Sequence, residues 1–307
     1  MRRLFIAAER GTQSAALLGD DERLEGYWRF GAGRESLVGD RFFGRVTAID
    51  RALDAAFVEI GTDRPGFLPL SHCPTPPVEG DALAVEVTRD PVEEKGARLT
   101  ARLGGAFALP AGAKPPLRLT RASPLVRLLG RLGGEIEVFV DTRRSAEALG
   151  ADFAGEPRLH IAHSPQRDWP ASLAELEADA AAALESRVEL PSGGWLLFEP
   201  CRTLTVIDVN SGAARGSGGE RTWLKTNLEA AAEVARQLRL RHIGGIVVID
   251  FIDLKSPVRR REVAEALRLA VASDWEPCWT GPMSRLGLIE MTRRRSGPTL
   301  AEMLEEG

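Results

Sequence analysis

Cysteine and lysine are both scarce in this chain. The three cysteines, Cys73, Cys201 and Cys278, are odd in number and widely spaced, so neither a disulfide framework nor a close-paired zinc motif is implied. Long apolar runs are missing as well. Nothing approaches the ~20 residues that span a bilayer, and the apolar stretch Leu4 to Ala8 is shorter than the about 7–15 residues of a secretory core. The chain therefore reads as cytoplasmic, with no membrane partner. Excess charge of one sign is also absent: 40 basic and 44 acidic residues leave a net charge of −4, so any nucleic-acid surface must be a local patch. Only Lys95, Lys114, Lys225 and Lys255 are lysine. Arginine forks suit phosphate, but codon bias in a GC-rich genome gives the same excess, and the count decides nothing by itself. What remains, 307 residues at 44% hydrophobic and 27% charged, is the composition of a globular protein of two or three domains.

The first 103 residues read as β. Phe42–Ile49, Ala55–Ile60, Gly66–Leu70, Ala82–Val87 and Arg98–Leu103 are short, partly alternating runs punctuated by Gly or Asp. Five such strands fit a small, nearly closed barrel of the OB type. Phe57 and Phe67 fall on consecutive strands among Arg45, Arg51 and Arg64. They suit either stacking on single-stranded bases or packing in the barrel core. Residues 104–125, rich in Gly, Ala and Pro, look like a connector. A short helix at 125–132, a strand at 135–141 and an acidic amphipathic helix over 171–189 follow. His160 and His163 are three apart, but no Cys or carboxylate nearby completes a zinc set.

The last 120 residues carry the clearest pattern. The β-branched run Thr203–Asn210 leads into a loop holding Gly212, Gly216, Gly218 and Gly219, then a helix with Leu224, Leu228, Ala231, Ala235 and Leu238 on one face. Gly244-Gly245 ends it before a second apolar strand, Ile246–Asp253. A strand–helix–strand unit makes these strands parallel, joined by a right-handed crossover. Asp208 and Asp250 then sit at the carboxyl ends, ~5 Å apart if the strands are neighbours, at the edge where ligands bind in α/β sheets. All-oxygen ligands favour magnesium or manganese over zinc; helix capping or pairing with arginine is the competing use of such aspartates. From 236 to 295, twelve basic residues against seven acidic ones suggest a positive surface around the site.

Leu204–Asn210, Lys225–Ala231, Arg236–Arg241 with Gly244–Asp253, and Ser284–Arg293 resemble the ribonuclease E/G family. Gly44–Thr47, Ala55–Gly61 and Gly66–Leu68 resemble its RNA-binding barrel. The resemblance implies an α+β multidomain fold: an OB-fold barrel (37–103) inserted in a reduced RNase H-like subdomain (1–36 and 104–187), followed by a DNase I-like α/β catalytic subdomain (188–307). It also implies a magnesium-dependent endoribonuclease acting on single-stranded RNA and leaving 5′-phosphate and 3′-hydroxyl ends. In that reading Asp208 and Asp250 hold the metal (magnesium, or manganese), and Asn210 orients Asp208. Phe57 and Phe67 stack on bases, with Arg45, Arg64, Lys95, Arg285 and Arg293 as further RNA contacts. The chain departs from the family pattern in three places. The RNase H-like region is short and has no match to the segment that recognises a 5′-monophosphate. No cysteine lies beyond Cys278 to form the family's zinc-link, so no zinc is expected, and a monomer or zinc-independent dimer is. Asp274-Trp275-Glu276-Pro277 stands where arginines are usual. An RNA-binding protein of the same fold with weak or no turnover is the alternative.

Overall fold

The computed structural model describes residues 1–307 except 10–11, 31–36, 92–94, 104–108, 111, 121–122, 213–218 and 306–307. It is a mixed α/β protein that divides into two compact units, one of residues 34–130 and one of 1–33 with 131–307. Among the described residues no helix is long and apolar enough to cross a membrane.

The larger unit begins with the antiparallel strands β1 (Arg2–Glu9), β2 (Thr12–Leu18) and β3 (Leu24–Phe30). In the smaller unit β4 (Arg41–Asp50), β5 (Ala55–Glu59), β6 (Gly66–Pro69), β7 (Ala82–Arg89) and β8 (Arg98–Thr100) pair in the order β5-β6-β8-β7-β4. A β5–β4 pairing closes the five strands into a barrel, as an OB-type fold requires. Alternation fills it: Val46, Ala56, Val58, Leu68, Val85, Val87 and Leu99 point inward and are buried. The expected connector is partly a strand. β9 (Leu117–Thr120) pairs with the start of β4, and α1 (Pro124–Arg131) follows. Both are tied to the barrel by Asp40, fully buried and ion-paired to Arg118 and Arg127.

In the larger unit, β10 (Ile136–Val140), α2 (Arg143–Asp152) and β11 (Leu159–His163) extend the first sheet to the order β11-β10-β1-β2-β3. His160 and His163 lie on β11, where an odd spacing puts them on opposite faces; they cannot share a metal. The acidic helix is shorter than its periodicity suggests. α3 (Leu173–Ala182) starts at a Ser172–Glu175 capping box, and residues 187–189 are instead strand β12 (Arg187–Glu189), paired with β13 (Trp195–Pro200).

The second sheet has the order β12-β13-β14-β15-β17-β16. It comprises β14 (Leu204–Asn210), β15 (Gly245–Asp250), β16 (Cys278–Thr280) and β17 (Leu288–Arg293), with α4 (Gly219–Leu240) and α5 (Pro257–Val271) on one face and α6 (Leu300–Glu305) ending the chain. β14 and β15 are parallel neighbours joined through α4. Ile207, Val209, Val247, Ile249, Ile289 and Met291 bury against Ala231, Val234, Leu238, Val263 and Leu267 of the helices. α4 also ties the two sheets together, since Arg236 donates to the Leu24 carbonyl and Arg239 pairs with Glu25. The helix ends before the two glycines: His242 takes the left-handed turn (φ 55°) with a ring nitrogen 2.9 Å from the Tyr27 carbonyl oxygen.

Candidate active site

In the parallel ladder Asp208 lies directly opposite Asp250, at a strand spacing of about 4.8 Å. Because Ile207, Val209, Val247 and Ile249 are buried under the helices, both aspartates project from the open face of the sheet, at the carboxyl ends of its strands. Asn210, on the same face, donates from Nδ2 to Asp208 Oδ2 at 2.6 Å. Among the described residues no arginine or lysine pairs with Asp208 or Asp250. Neither stands at the start of α4 or α5, which begin at Gly219 and Pro257. Capping and ion pairing are thus not their use here. The Asp250 carboxyl is held above the ordinary carboxylate range, first by desolvation and then by the charges of Asp208 and Asp253. Negative charge is accumulated without a protein counter-charge, which a cation would relieve.

Two further residues shape this edge. Gly287, at φ 83°, borders the carboxylates: a Cβ there would lie 2.8 Å from the Phe251 carbonyl oxygen, 3.2 Å from Asp253 Oδ1 and 3.8 Å from Asp250 Oδ1. Glycine keeps that space open and accepts the backbone conformation. Asn227 of α4 is fully buried. Its Nδ2 donates to the Ile252 carbonyl at 2.8 Å and its Oδ1 accepts from the Ile252 amide at 3.0 Å. The β15 ladder ends at Asp250, so this amide replaces the lost strand partners and holds the turn carrying Asp250 and Asp253. Among the described residues no three His, Cys, Asp or Glu side chains converge on one point. Two carboxylates with room beside them suit a hard divalent cation that keeps several waters and takes few protein ligands.

On the barrel, Phe57 and Phe67 are cross-strand partners with ring centroids 6.1 Å apart, edge to face. Both are half-buried and point outward, whereas their neighbours Ala56, Val58 and Leu68 fill the core. The core-packing reading of these rings therefore does not hold. The Arg98 guanidinium lies 5.8 Å from the Phe67 ring centroid. Arg45, Arg64 and Lys95 are exposed, with Arg45 donating to the Gly80 carbonyl at 3.0 Å.

In the larger unit Arg285 is exposed in the turn that carries Gly287. Arg293, expected at the RNA, is instead buried: its guanidinium is bidentate to Asp274 at 2.9 Å and donates to the Ile243 carbonyl at 3.0 Å. Part of the basic surplus of this region is taken up by the fold or by surface ion pairs. Arg239 and Arg241 are buried, Arg236 is bound to Glu233, and Arg259 and Arg268 pair with Glu220 and Glu265. The anomalous acidic segment receives one of these arginines and one from α1, since Asp274 takes Arg293 and Glu276 takes Arg131. Gly216 and Gly218 of the glycine-rich loop lie outside the described residues.

The ribonuclease E/G family model matches residues 136–296, a span that includes Asp208, Asn210, Asn227, Asp250 and Gly287. This chain belongs to the ribonuclease E/G family. Ribonuclease E of Haemophilus influenzae is 30% identical over 402 aligned residues, covering 98% of this chain and 42% of that protein. Ribonuclease E of Escherichia coli K12 is 29% identical over 98% of this chain and 38% of its own length. Ribonuclease G of the same strain is 28% identical over 88% and 75%. The chain thus spans about two fifths of the ribonuclease E relatives. Since 98% of 307 residues is about 301 of the 402 aligned positions, about 100 positions of the Haemophilus family member have no counterpart here. Asp253 and Asn227 are the site residues that sequence reasoning missed. Their signals were a third carboxylate three residues after Asp250, and an amide set among the apolar positions of α4.

Proposed function

We propose that this chain is a magnesium-dependent endoribonuclease that hydrolyses single-stranded RNA, with Asp208, Asp250 and Asn210 at the reacting centre and the barrel as RNA-binding surface. The observation that carries the reading is the register of Asp208 against Asp250, two carboxylates on one open sheet face without a protein counter-charge. When bound, magnesium (or manganese) supplies Lewis acidity, lowering the pKa of water and neutralising phosphoryl charge. The two aspartates would hold it. Asn210 keeps one Asp208 oxygen occupied, which fixes the direction of the other. Asn227 and Gly287 keep Asp250 in place and the space beside it clear. Hydrolysis adds a water oxygen to phosphorus and breaks its bond to O3′, which leaves with a proton; the products carry 5′-phosphate and 3′-hydroxyl ends.

We assign the barrel as an OB domain (37–103), the second sheet with α4 and α5 as a DNase I-like catalytic subdomain (188–307), and the first sheet as a reduced RNase H-like subdomain (1–36 and 104–187). On this reading the enzyme works in the cytoplasm, without a sensor for 5′-monophosphate. The test is incubation with a fluorescent single-stranded RNA, with and without magnesium, followed by end-group analysis. Magnesium-dependent cuts with 5′-phosphate ends support the proposal. Binding without cleavage makes the chain an RNA-binding member of the fold.

A further inference from the structure

The helix-covered face of the second sheet is a closed core, but its opposite face is graded in charge along the strands. At one end stand Asp208 and Asp250. Four residues back along β15, Ile246 is opposite Leu204 of β14 on one side and Thr292 of β17 on the other, and Thr292 is opposite Trp279 of β16. These residues share the aspartates' face by alternation, and Trp279 and Ile246 are 61% and 51% exposed. The exposed indole shares its row with the exposed Ile246 and the half-buried Leu204, so it is not an isolated surface apolar group. Beyond that row lies a positive end. Arg202 lies two residues before the first residue of β14, Arg294 and Arg295 follow β17, and Arg295 reaches the Gly244 carbonyl at 3.4 Å. Among the described residues none of these three arginines has a carboxylate partner. Between the ends, Val206 and Val248 are half-buried, flanked by Glu199 and Glu290 on the outer strands.

We propose that this face is a substrate track, and that Trp279 stacks on one base of the RNA two to three nucleotides from the bond that is cut. The inference rests on the endoribonuclease reading and adds where the flanking strand lies. Four residues of strand and two strand spacings put Trp279 about 16 Å from Asp250. That is two to three nucleotides at roughly twice the 3.4 Å spacing of a stacked strand. The gradient matches an RNA segment: a phosphate at the carboxylate end with the cation they hold, bases over the apolar middle, and later phosphates at Arg202, Arg294 and Arg295. Glu199 and Glu290 disfavour phosphate over the middle, which leaves that strip to bases.

The test is abasic scanning of a short, 5′-labelled single-stranded RNA that is cut at one site. With the unmodified protein, removing the base two or three positions from the cut, on one side only, should lower kcat/KM about 5- to 150-fold, the range for one base–aromatic stack. Trp279→Ala should lose a similar factor on intact RNA and become indifferent to that abasic position, while Trp279→Phe keeps the sensitivity. Trp279 is exposed on a short edge strand, and a circular-dichroism melt checks that the variants are folded. Identical abasic profiles for wild type and Trp279→Ala would overturn the track. A lower sedimentation coefficient in Trp279→Ala with an unchanged profile would overturn it too, and make the face a contact between two copies. If the unmodified protein cuts no RNA, the functional reading fails. Fluorescence anisotropy of the same abasic series on wild type and Trp279→Ala then still decides the track by itself.

Discussion

Removing the Asn227 amide should loosen the active-site turn more than it harms the fold. Asn227→Ala strips both partners from the Ile252 peptide, whose N–H and C=O are otherwise bonded to the side chain at 3.0 and 2.8 Å. A buried backbone group left unpaired costs about 1–3 kcal/mol. Ile252 is half-buried, so water recovers part of this, and a loss of about 2–4 kcal/mol follows for the pair. Asn227→Asp keeps the acceptor, loses the donor and adds a fourth negative charge near Asp208, Asp250 and Asp253. On the proposed reading the site-specific consequence is weaker magnesium binding, because partners behind metal-holding carboxylates are worth about 10–100-fold in affinity. The assay is cleavage rate against magnesium concentration, beside a thermal melt. Half-saturation should move up about tenfold in Asn227→Ala, with kcat largely restored at high magnesium, and the melting temperature should fall. An unchanged half-saturation in a destabilised variant would show that Asn227 is only a core amide.

The outward rings of the barrel give a second expectation. Phe57→Ala and Phe67→Ala should each weaken single-strand binding by ~1–3 kcal/mol, well separated from the ~3–5 kcal/mol of stability that a buried phenylalanine costs; isotherm and melt on the same variant distinguish the two. Asp250 has a pH signature. Its carboxyl protonates at higher pH folded than unfolded, so folding takes up a proton in that window and stability falls as pH rises through it. Asp250→Asn should therefore melt higher than wild type at neutral pH without magnesium, and the gain should vanish below the ordinary carboxylate range; a lower melting temperature at neutral pH would contradict this. Finally, 5′-hydroxyl and 5′-monophosphate forms of one RNA should be cut at similar rates, which initial-rate measurements on the two substrates check.

Where local pattern and tertiary pairing agree, this fold is legible from its sequence. Two β-branched runs carrying Asp208 and Asp250, separated by one helix, make the strands parallel because a crossover joins them, although the second strand ends at Asp250 rather than at Asp253. The barrel strands announce themselves by alternation and glycine punctuation. Elements formed by distant partners are not legible. β9 exists because β4 offers it an edge, and β12 because β13 does; three- and four-residue strands carry too little periodicity to be read alone. Charge is the other blind spot. Arg293 and its neighbours count as a positive surface by composition, yet Asp274 and the Ile243 carbonyl draw Arg293 inward. Asn227 escaped because a buried amide on an apolar helix face is visible only once the turn it bonds is in place.

The central claim, that Asp208 and Asp250 together carry the chemistry, is tested most directly by pairing cleavage with affinity in Asp208→Asn and Asp250→Asn. On the proposed reading RNA binding by the barrel should not depend on them, whereas lowering the pKa of water and stabilising transition-state charge should. With folding matched by circular dichroism, both variants should bind a fluorescent single-stranded RNA nearly as tightly as wild type in an anisotropy titration and release no product with magnesium. Cleavage at wild-type rates in either variant would contradict the account and place the reaction elsewhere on the molecule.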